Sequence, residues 1–258
     1  MTFKKLFIIS AYSTLIIYLV LLVSTFYFFD SKELVKAIFD KRIHYAIGLS
    51  ILAASIATIL AVLISVPSAY ALSRYKFRFK SLIDIFLELP MIISPAALGA
   101  IILIFFSTPF GMFIRDNIID VIYTFYGIVV AQFITVLGLC TRLMKSVFDE
   151  IPLRYENIAR TLGASPLQAF SHITFPLAKK GVLSSVILTW AKSIGEFGAT
   201  ITVAGSMSMK TETLPTAIFM KLSMADIKGT VVIILILLSI SISILILTRY
   251  ILQSKYHD

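Results

Sequence analysis

Six long apolar segments restrict the fold of this chain more than any other feature. Each has roughly 20 residues or more, the length that an α-helix needs to cross the hydrocarbon core of a bilayer. The segments are Leu6–Phe29, Ala46–Leu72, Leu82–Phe106, Val121–Leu139, Val182–Ala204 and Thr230–Ile251. Because lipid offers no water to backbone N–H and C=O groups, each segment is expected to be helical. We predict an all-α polytopic membrane protein with six transmembrane helices.

The composition excludes a soluble globular domain. The chain is 59% hydrophobic and only 14% charged, whereas soluble domains have about 45–50% apolar and about 25% charged residues. The first apolar segment is longer than the core of a signal peptide and has no small-residue cleavage site, so we interpret it as a retained span. No internal repeat or low-complexity stretch divides the chain. We expect one transmembrane domain over residues 1–258.

The net charge of +9 would suggest nucleic-acid binding in a soluble protein. In a membrane protein, Lys and Arg instead collect in the cytoplasmic loops. The loops on the side of the two termini contain more basic residues than the opposite loops. We therefore predict a plasma-membrane protein with lipid around it, both termini in the cytoplasm and no nucleic-acid partner.

A polar segment, residues 156–176, interrupts the apolar pattern and has the features of a helix–turn–helix. Gly163 can adopt the positive φ that ends a helix, and Ser165 followed by Pro166 is a typical helix start. Apolar residues then recur at helical spacing, and Pro176 is expected to end the run. This pattern predicts a short amphipathic helix whose apolar face needs a partner. The alternative is an interfacial helix that lies on lipid.

The third apolar segment contains helix-breaking residues. Pro90 and Pro95 each remove a backbone donor, Gly99 also interrupts the apolar run, and the freed carbonyls need a neighbour, water or a hydroxyl such as that of Ser94. Broken helices often line the pathways of transporters. The alternative is an ordinary proline kink.

The fifth segment carries a cation and an anion near its middle. Lys192 and Glu196 are four residues apart, so they share one helix face. An isolated charge at that depth costs about 2.5–3.5 kcal/mol on insertion scales, and pairing lowers this cost. Gly195 and Gly198 permit close approach of another backbone. Three interpretations remain open: a polar element at a gate or subunit interface, a structural ion pair, or a proton relay.

Three segments together resemble a known family. In residues 156–176 the matching residues are Ala159, Gly163, Ile173 and Pro176. The pattern is the cytoplasmic coupling loop of binding-protein-dependent ABC importers. Asn157, Ile158 and Phe175 depart from it, and Glu156 stands one place early. Residues 89–103 and 191–205 are similar to the molybdate, tungstate and sulfate permeases of that superfamily.

The resemblance implies both a function and a set of functional residues. It implies an ABC importer permease for a tetrahedral oxyanion, most simply molybdate or tungstate, with sulfate as the alternative substrate. The implied coupling residues are Glu156, Ala159, Gly163, Leu167, Phe170, Ile173 and Pro176. The implied pathway or gate residues are Pro90, Ser94, Pro95, Gly99, Lys192, Gly195, Glu196 and Gly198.

The resemblance also implies partners. Two copies of the chain would form the pathway, a dimer of cytoplasmic ABC ATPases would dock on the coupling segments, and an extracellular binding protein would deliver the oxyanion. ATP and Mg would be used by the ATPase, and no cofactor would be bound by this chain.

The motifs of an enzyme are absent from the sequence. There is no Gly-x4-Gly-Lys-Ser/Thr phosphate loop, no His-Glu-x-x-His, and no Gly-x-Ser-x-Gly. The single cysteine, Cys140, and the three scattered histidines do not have the spacing of a metal site. We therefore expect no catalytic activity from the chain by itself, which disfavours a membrane enzyme. A secondary transporter or channel that works without an ATPase is the alternative from another class.

Overall fold

The computed structural model of the protein describes residues 3–253, with side chains for residues 3–246, and this part of the chain is helical without a β-strand. The prediction of an all-α membrane protein is confirmed. The helices are α1 Phe3–Thr25, α2 Ser31–Phe39, α3 Lys41–Arg74, α4 Lys80–Ile92, α5 Pro95–Phe106, α6 Pro109–Asn117, α7 Phe125–Asp149, α8 Arg154–Thr161, α9 Pro166–Ala169, α10 Phe175–Ile194, α11 Gly198–Ala204, α12 Leu214–Ser223 and α13 Ile227–Gln253.

Four uninterrupted segments among the described residues are long and apolar enough to cross a membrane: Phe3–Phe28, Lys41–Arg74, Phe125–Asp149 and Ile227–Ile246. The third predicted span is instead the pair α4 and α5, and the fifth predicted span is divided between α10 and α11. The expectation of interruptions in these two segments is confirmed, because neither is a single continuous helix.

The break in the third predicted span lies at one place only. The axes of α4 and α5 differ in direction by 114°. Ser94 caps α5, accepting a hydrogen bond from the Ala97 N–H, and Pro95 occupies its first turn. The expectation that Pro90 and Gly99 also interrupt the helix is wrong, since Pro90 lies inside α4 and Gly99 inside α5. The helix is interrupted before Pro95, because proline begins a helix more readily than it continues one.

The expected helix end at Pro176 is also wrong. A π-helical turn over Phe170–Thr174 joins α9 to α10 without leaving the helical conformation. In this turn the Phe175 N–H donates to the Phe170 carbonyl, so the bonding pattern has already shifted before Pro176, which has no N–H to donate. The coupling segment therefore continues directly into the fifth predicted span.

The centre of the molecule is formed by α3 and α7, with α10 packed against both. Several alanines of α3, among them Ala53, Ala57 and Ala61, are fully buried. Such small residues let neighbouring helices approach closely in a membrane, where packing drives helix association. No residue of α1 is buried, so this helix presents its whole surface to lipid or to another chain.

Candidate functional site

The coupling segment is held to the end of α3 by a buried carboxylate. Glu156, in α8, accepts hydrogen bonds from Tyr70 Oη at 2.9 Å, from Arg74 Nε at 2.7 Å and from Thr174 Oγ1 at 2.6 Å. Arg74 also donates to the Ile151 carbonyl at 2.9 Å. We call Tyr70, Arg74, Glu156 and Thr174 the clamp. It joins α3, α8 and the π turn before α10.

The clamp keeps Glu156 ionised. Burial alone raises the pKa of its carboxyl, but the hydrogen bonds from Thr174, Arg74 and Tyr70 outweigh that effect, so the pKa lies below its usual value. The stabilisation that this shift provides is present above the ordinary pKa of a glutamate and is lost as the pH falls through the lowered value. The clamp is therefore intact at neutral pH.

The apolar residues of the coupling segment divide between the interior and the surface. Phe170 packs within the chain, with ring centroids 4.7 Å from Tyr70 and 5.8 Å from Phe175. Leu167 is 75% exposed, whereas Ile173 is half-buried. Leu167, Phe170 and Ile173 were predicted to contact a partner protein. Of these three side chains, Leu167 is the most exposed and therefore the most accessible to a partner.

An apolar groove of about 510 Å³ lies beside Leu167. It runs between the end of α3 and the start of α9. Its lining residues are Val66, Pro67, Tyr70, Ala71, Tyr75, Pro166, Leu167 and Phe170. The coupling segment therefore presents an open apolar surface.

The turn between α8 and α9 matches the sequence prediction. Gly163 has a φ of +92° and no atom within 4 Å of the position of a Cβ, so a side chain would fit in space but would strain the backbone. Ser165 caps α9 in a capping box with Gln168. The other two predicted coupling residues, Ala159 and Pro176, are half-buried and exposed respectively.

The two broken spans meet through their glycines. A Cβ on Gly99 would lie 2.7 Å from Thr202 Cβ and 3.0 Å from Ala199 Cα. A Cβ on Gly198 would lie 2.8 Å from Pro95 Cβ. Since both approaches are closer than a real Cβ tolerates, α5 and α11 pack in contact only because of these glycines. The structure thus brings together three of the predicted gate residues, Pro95, Gly99 and Gly198.

Lys192 and Glu196 form the ion pair that their spacing predicts, with 3.2 Å between Lys192 Nζ and Glu196 Oε2. The two side chains differ in burial, because 48% of Lys192 and only 1% of Glu196 is exposed. Glu196 Oε1 also accepts a hydrogen bond from the Ala199 N–H at 3.2 Å, in the first turn of α11. The carboxylate therefore orients α11 as well as neutralising Lys192.

The remaining predicted gate residues have no comparable contacts. Ser94 is exposed apart from its capping role, Pro90 is half-buried, and Gly195 is exposed beside the break between α10 and α11. For these residues a role in the pathway stays a prediction.

Besides the clamp pair of Arg74 and Glu156, the ion pairs between distant parts of the chain that the sequence did not predict include two more. Arg142, in α7, contacts Glu88, in α4, at 2.6 Å. Arg42, at the start of α3, forms a bidentate pair with Glu212, which is buried just before α12. The occurrence of Glu88 inside an apolar segment was the available signal for the first pair. No comparable sequence signal marked the second.

No group of three or more His, Cys, Asp or Glu side chains that could hold a metal ion occurs in the described part of the chain. The polar geometry described above consists of ion pairs and helix caps. Such an arrangement can hold helices in position.

The coupling segment and the two broken spans lie within a region that matches a known protein family. Residues 61–255 match the family described as the binding-protein-dependent transport system inner membrane component. The chain belongs to this family. It is a multi-pass membrane protein and a permease subunit of an ABC importer, in which it has the translocating rather than the ATP-hydrolysing role.

Relatives of this family have been described in several organisms. The chain is 30% identical over 201 residues to the probable transport system permease protein NifC of Clostridium pasteurianum, covering 77% of this chain and 70% of the relative. It is 34% identical over 183 residues to the sulfate transport system permease protein CysT of Salmonella typhimurium, covering 70% and 66%. The molybdate/tungstate transport system permease protein WtpB of Pyrococcus abyssi is 31% identical over 195 residues, covering 74% of each.

Solved structures share the fold at low sequence identity. A chain of a bacterial alginate ABC transporter, in complex with an alginate-bound periplasmic protein, matches 99% of this chain and 96% of its own length, with a TM-score of 0.76 and 12% identity. A chain of the inward-facing MetNI methionine ABC transporter matches with a TM-score of 0.66, 13% identity, and coverage of 84% and 99%. Both similarities support the fold of an ABC transporter permease.

Proposed function

We propose that this chain is the permease subunit of an ATP-driven importer for a tetrahedral oxyanion, molybdate or tungstate. The observation that carries the proposal is the coupling segment: a helix–turn–helix that is clamped to α3 and continuous with α10, within a chain of the binding-protein-dependent family. A helix pair of this kind is not needed to anchor a chain in lipid. It suits a surface on which another protein pushes.

The substrate proposal rests on the relatives. Those described above include a molybdate/tungstate permease and a sulfate permease, and the two groups of relatives have similar identity to this chain. Sulfate is therefore the alternative substrate. Binding of the three anions to the partner binding protein, measured by calorimetry, would discriminate between them, because the tightest anion is the one delivered to the permease.

The proposed complex contains two copies of this chain, a dimer of cytoplasmic ATPases and an extracellular oxyanion-binding protein. ATP and Mg are used by the ATPases, and the permease itself binds no cofactor. In this proposal both termini lie on the cytoplasmic side of the plasma membrane. Residues 1–2 and 254–258 lie outside the described residues, as do the side chains of Arg249 and Lys255, which contribute to the charge bias. This orientation places α8 and α9 where an ATPase can reach them.

The connections within the chain suggest how ATP hydrolysis is transmitted. Leu167 and the apolar groove present a surface to the ATPase. A push on this surface acts on α3 through the clamp and on α10 through the continuous π turn. The far end of α10 leads to Lys192, Glu196 and the contact of α11 with α5. Motion of the coupling segment therefore has a direct mechanical route to the broken spans.

The proposed importer needs no strong anion site in the permease. An oxyanion that bound tightly inside the pathway would leave slowly, so recognition is better placed in the binding protein. The permease then has only to open alternately to the two sides of the membrane.

The coupling proposal can be tested at Gly163. Changing Gly163 to Val places a Cβ on a backbone with positive φ, which costs about 1–2 kcal/mol and should move α9 relative to α8. We expect the reconstituted complex to lose most of its oxyanion uptake for each ATP hydrolysed. Gly163→Asn should retain more coupling, because Asn tolerates the left-handed region.

Normal uptake for each ATP hydrolysed in Gly163→Val would show that the turn is not part of the coupling route. A second control, Gly48→Val, adds a side chain where no atom lies within 4 Å and should transport normally. Uptake by proteoliposomes that contain this chain without any ATPase would instead favour the secondary transporter or channel.

A further inference from the structure

A charged crevice opens between α4 and α7. Its volume is about 510 Å³, and its lining residues are Asp84, Glu88, Arg142, Lys145, Ser146, Asp149 and Glu150. Every one of them is polar, and six are charged. The crevice has no counterpart among the sites predicted from the sequence.

The crevice extends from one end of the spanning helices into their length. Arg142 lies roughly 10 Å along α7 from its end at Asp149, and Glu88 lies roughly 12 Å along α4 from its start at Lys80, at 1.5 Å per residue. That end is the one from which the chain continues into α8, so the crevice opens on the same side as the coupling segment.

The side chains of the crevice need water. Glu88 and Arg142 are 42% and 48% exposed, and charged groups at such depth face a bundle interior or an aqueous cavity rather than lipid. The crevice lies on α4, directly before the break that leads to Pro95 and the α5–α11 contact. It therefore lies in the same broken span as the predicted gate residues, on the side of the coupling segment.

Both cations of the crevice are occupied by carboxylates. Arg142 Nη1 lies 2.6 Å from Glu88 Oε1, and Lys145 Nζ lies 3.0 Å from Asp149 Oδ2. The four carboxylates outnumber the two cations. An anion that enters the crevice consequently meets a negative lining with no cation free to hold it.

We propose that this crevice is the cytoplasmic exit of the translocation pathway, and that Glu88 prevents Arg142 from binding the departing oxyanion. The inference rests on the proposed function, because it assumes that an oxyanion passes. Arg142 is the residue with the greatest capacity to stop it, since a guanidinium binds tetrahedral oxyanions through two parallel hydrogen bonds. Glu88 holds one of these nitrogens, Nη1, in advance and so favours release.

The electrostatic part of the proposal can be tested without any substrate. In the assembled complex with Cys140→Ala, Ser146→Cys places a thiol in the crevice. This thiol is labelled from the ATPase side, once with an anionic and once with a cationic methanethiosulfonate reagent. The ratio of the anionic to the cationic labelling rate reports the local electrostatic potential. Adding Glu88→Gln should raise the anionic-to-cationic ratio by about fivefold, the effect of one unit charge at several ångströms in water.

The matched control is Glu33→Gln. It also removes a carboxylate from an ion pair, with Lys36, but on α2, far along the chain from the crevice, and should leave the ratio unchanged. Absence of labelling at Ser146→Cys would overturn the assignment of the crevice as an aqueous path. An unchanged ratio in Glu88→Gln would overturn the role of Glu88.

The transport part of the proposal is tested by inhibition from the product side. In proteoliposomes, molybdate added on the ATPase side should inhibit uptake by Glu88→Gln at about fivefold lower concentration than in the unmodified protein, because Arg142 is now free to bind it. The double variant Glu88→Gln/Arg142→Gln should return to the unmodified value. Equal inhibition of all three proteins would overturn the release mechanism.

Together, the labelling and uptake measurements distinguish a failure of the proposed function from a failure of the proposed role of the crevice. If the unmodified complex imports neither molybdate, tungstate nor sulfate, the proposed function fails, while the labelling ratio still decides whether Glu88 sets the potential of the crevice. If uptake is normal and the ratio does not move, the proposed function stands and this inference fails.

Discussion

At the scale of single residues, buried carboxylates organise this membrane protein. Glu156, Glu196 and Glu212 are all nearly inaccessible, and each is paired with a cation. A charge that is buried without a partner is far more costly than a buried pair. Removing one member of such a pair should therefore lower the stability of the protein more when the remaining charge is buried than when it is exposed.

The clamp gives the clearest prediction. Glu156→Ala leaves the Arg74 guanidinium without its carboxylate, and the side chains of both residues are only 6% exposed. We expect a loss of about 3–5 kcal/mol in stability, measured as a lower thermal unfolding temperature of the purified permease. Glu150→Ala removes an exposed carboxylate nearby and should change stability by less than about 0.5 kcal/mol. Equal melting of the two variants would contradict the clamp.

The pair in the fifth predicted span should respond asymmetrically. Lys192→Met leaves Glu196 charged and buried, which should cost about 1–3 kcal/mol or more and lower the yield of folded permease. Glu196→Gln should be milder, because the Lys192 ammonium reaches water and the amide oxygen can still accept from the Ala199 N–H. The double variant should recover most of the yield.

Uptake by the double variant then separates two roles for this pair. Near-normal transport would indicate a structural ion pair, and good folding with lost transport would indicate a gate. If Lys192→Met folds as well as the unmodified protein, the pair has no structural importance.

At the scale of elements, the molecule combines long continuous helices with two broken ones. The continuous helices α3 and α7 form the centre, and the broken pairs meet where α5 crosses α11. Broken helices at membrane depth need neighbours that satisfy their freed backbone groups. Ser94 and Glu196 do this at the first turns of α5 and α11 respectively.

The contact of α5 with α11 depends on glycine, which can be tested with a matched pair of variants. Gly99→Ala should destabilise the permease by about 1–3 kcal/mol, the usual cost of overpacking, because its Cβ would lie 2.7 Å from Thr202 Cβ. Gly48→Ala, in α3, meets no atom within 4 Å and should be neutral or stabilising, since Ala favours a helix by up to about 1 kcal/mol. Thermal unfolding of both variants checks the contrast, and equal shifts would refute it.

At the scale of the whole molecule, ion pairs connect the starts of α2 and α3 to the region of α12 and α13, near the other end of the chain. Arg42 begins α3 and holds Glu212, just before α12. Lys228, in the first turn of α13, holds Asp30 at the start of α2 at 2.9 Å. These pairs close the face of the molecule that is opposite the coupling segment, where the proposed binding protein would dock.

Arg42→Ala tests this closure. Glu212 is only 1% exposed, so losing its cation should cost about 1–3 kcal/mol and make the segment before α12 more sensitive to protease. Arg115→Ala removes a cation from the more exposed pair with Asp116 and should cost less than about 1 kcal/mol. Identical protease sensitivity in the two variants would show that the pair does not hold this face together.

The sequence by itself determined the features that depend on short-range chemistry. The length of the apolar segments predicted the helical membrane protein, because lipid permits little else. The turn at Gly163, the cap at Ser165 and the Lys192–Glu196 pair each involve residues within one or two helical turns, and all three were predicted correctly. The coupling pattern, together with residues 89–103 and 191–205, was sufficient to indicate the family.

Only the tertiary structure decided which distant residues meet and where helices end. Pro176 continues a helix and Pro95 begins one, and the difference lies in the π turn before Pro176 and in the bend that α5 makes to reach α11. The pairing of Glu88 with Arg142, and of Glu156 with Arg74, depends on how α4, α7, α3 and α8 are rotated against one another. Helical periodicity fixes the side chains that share a face, but the packing of whole helices fixes which faces are in contact.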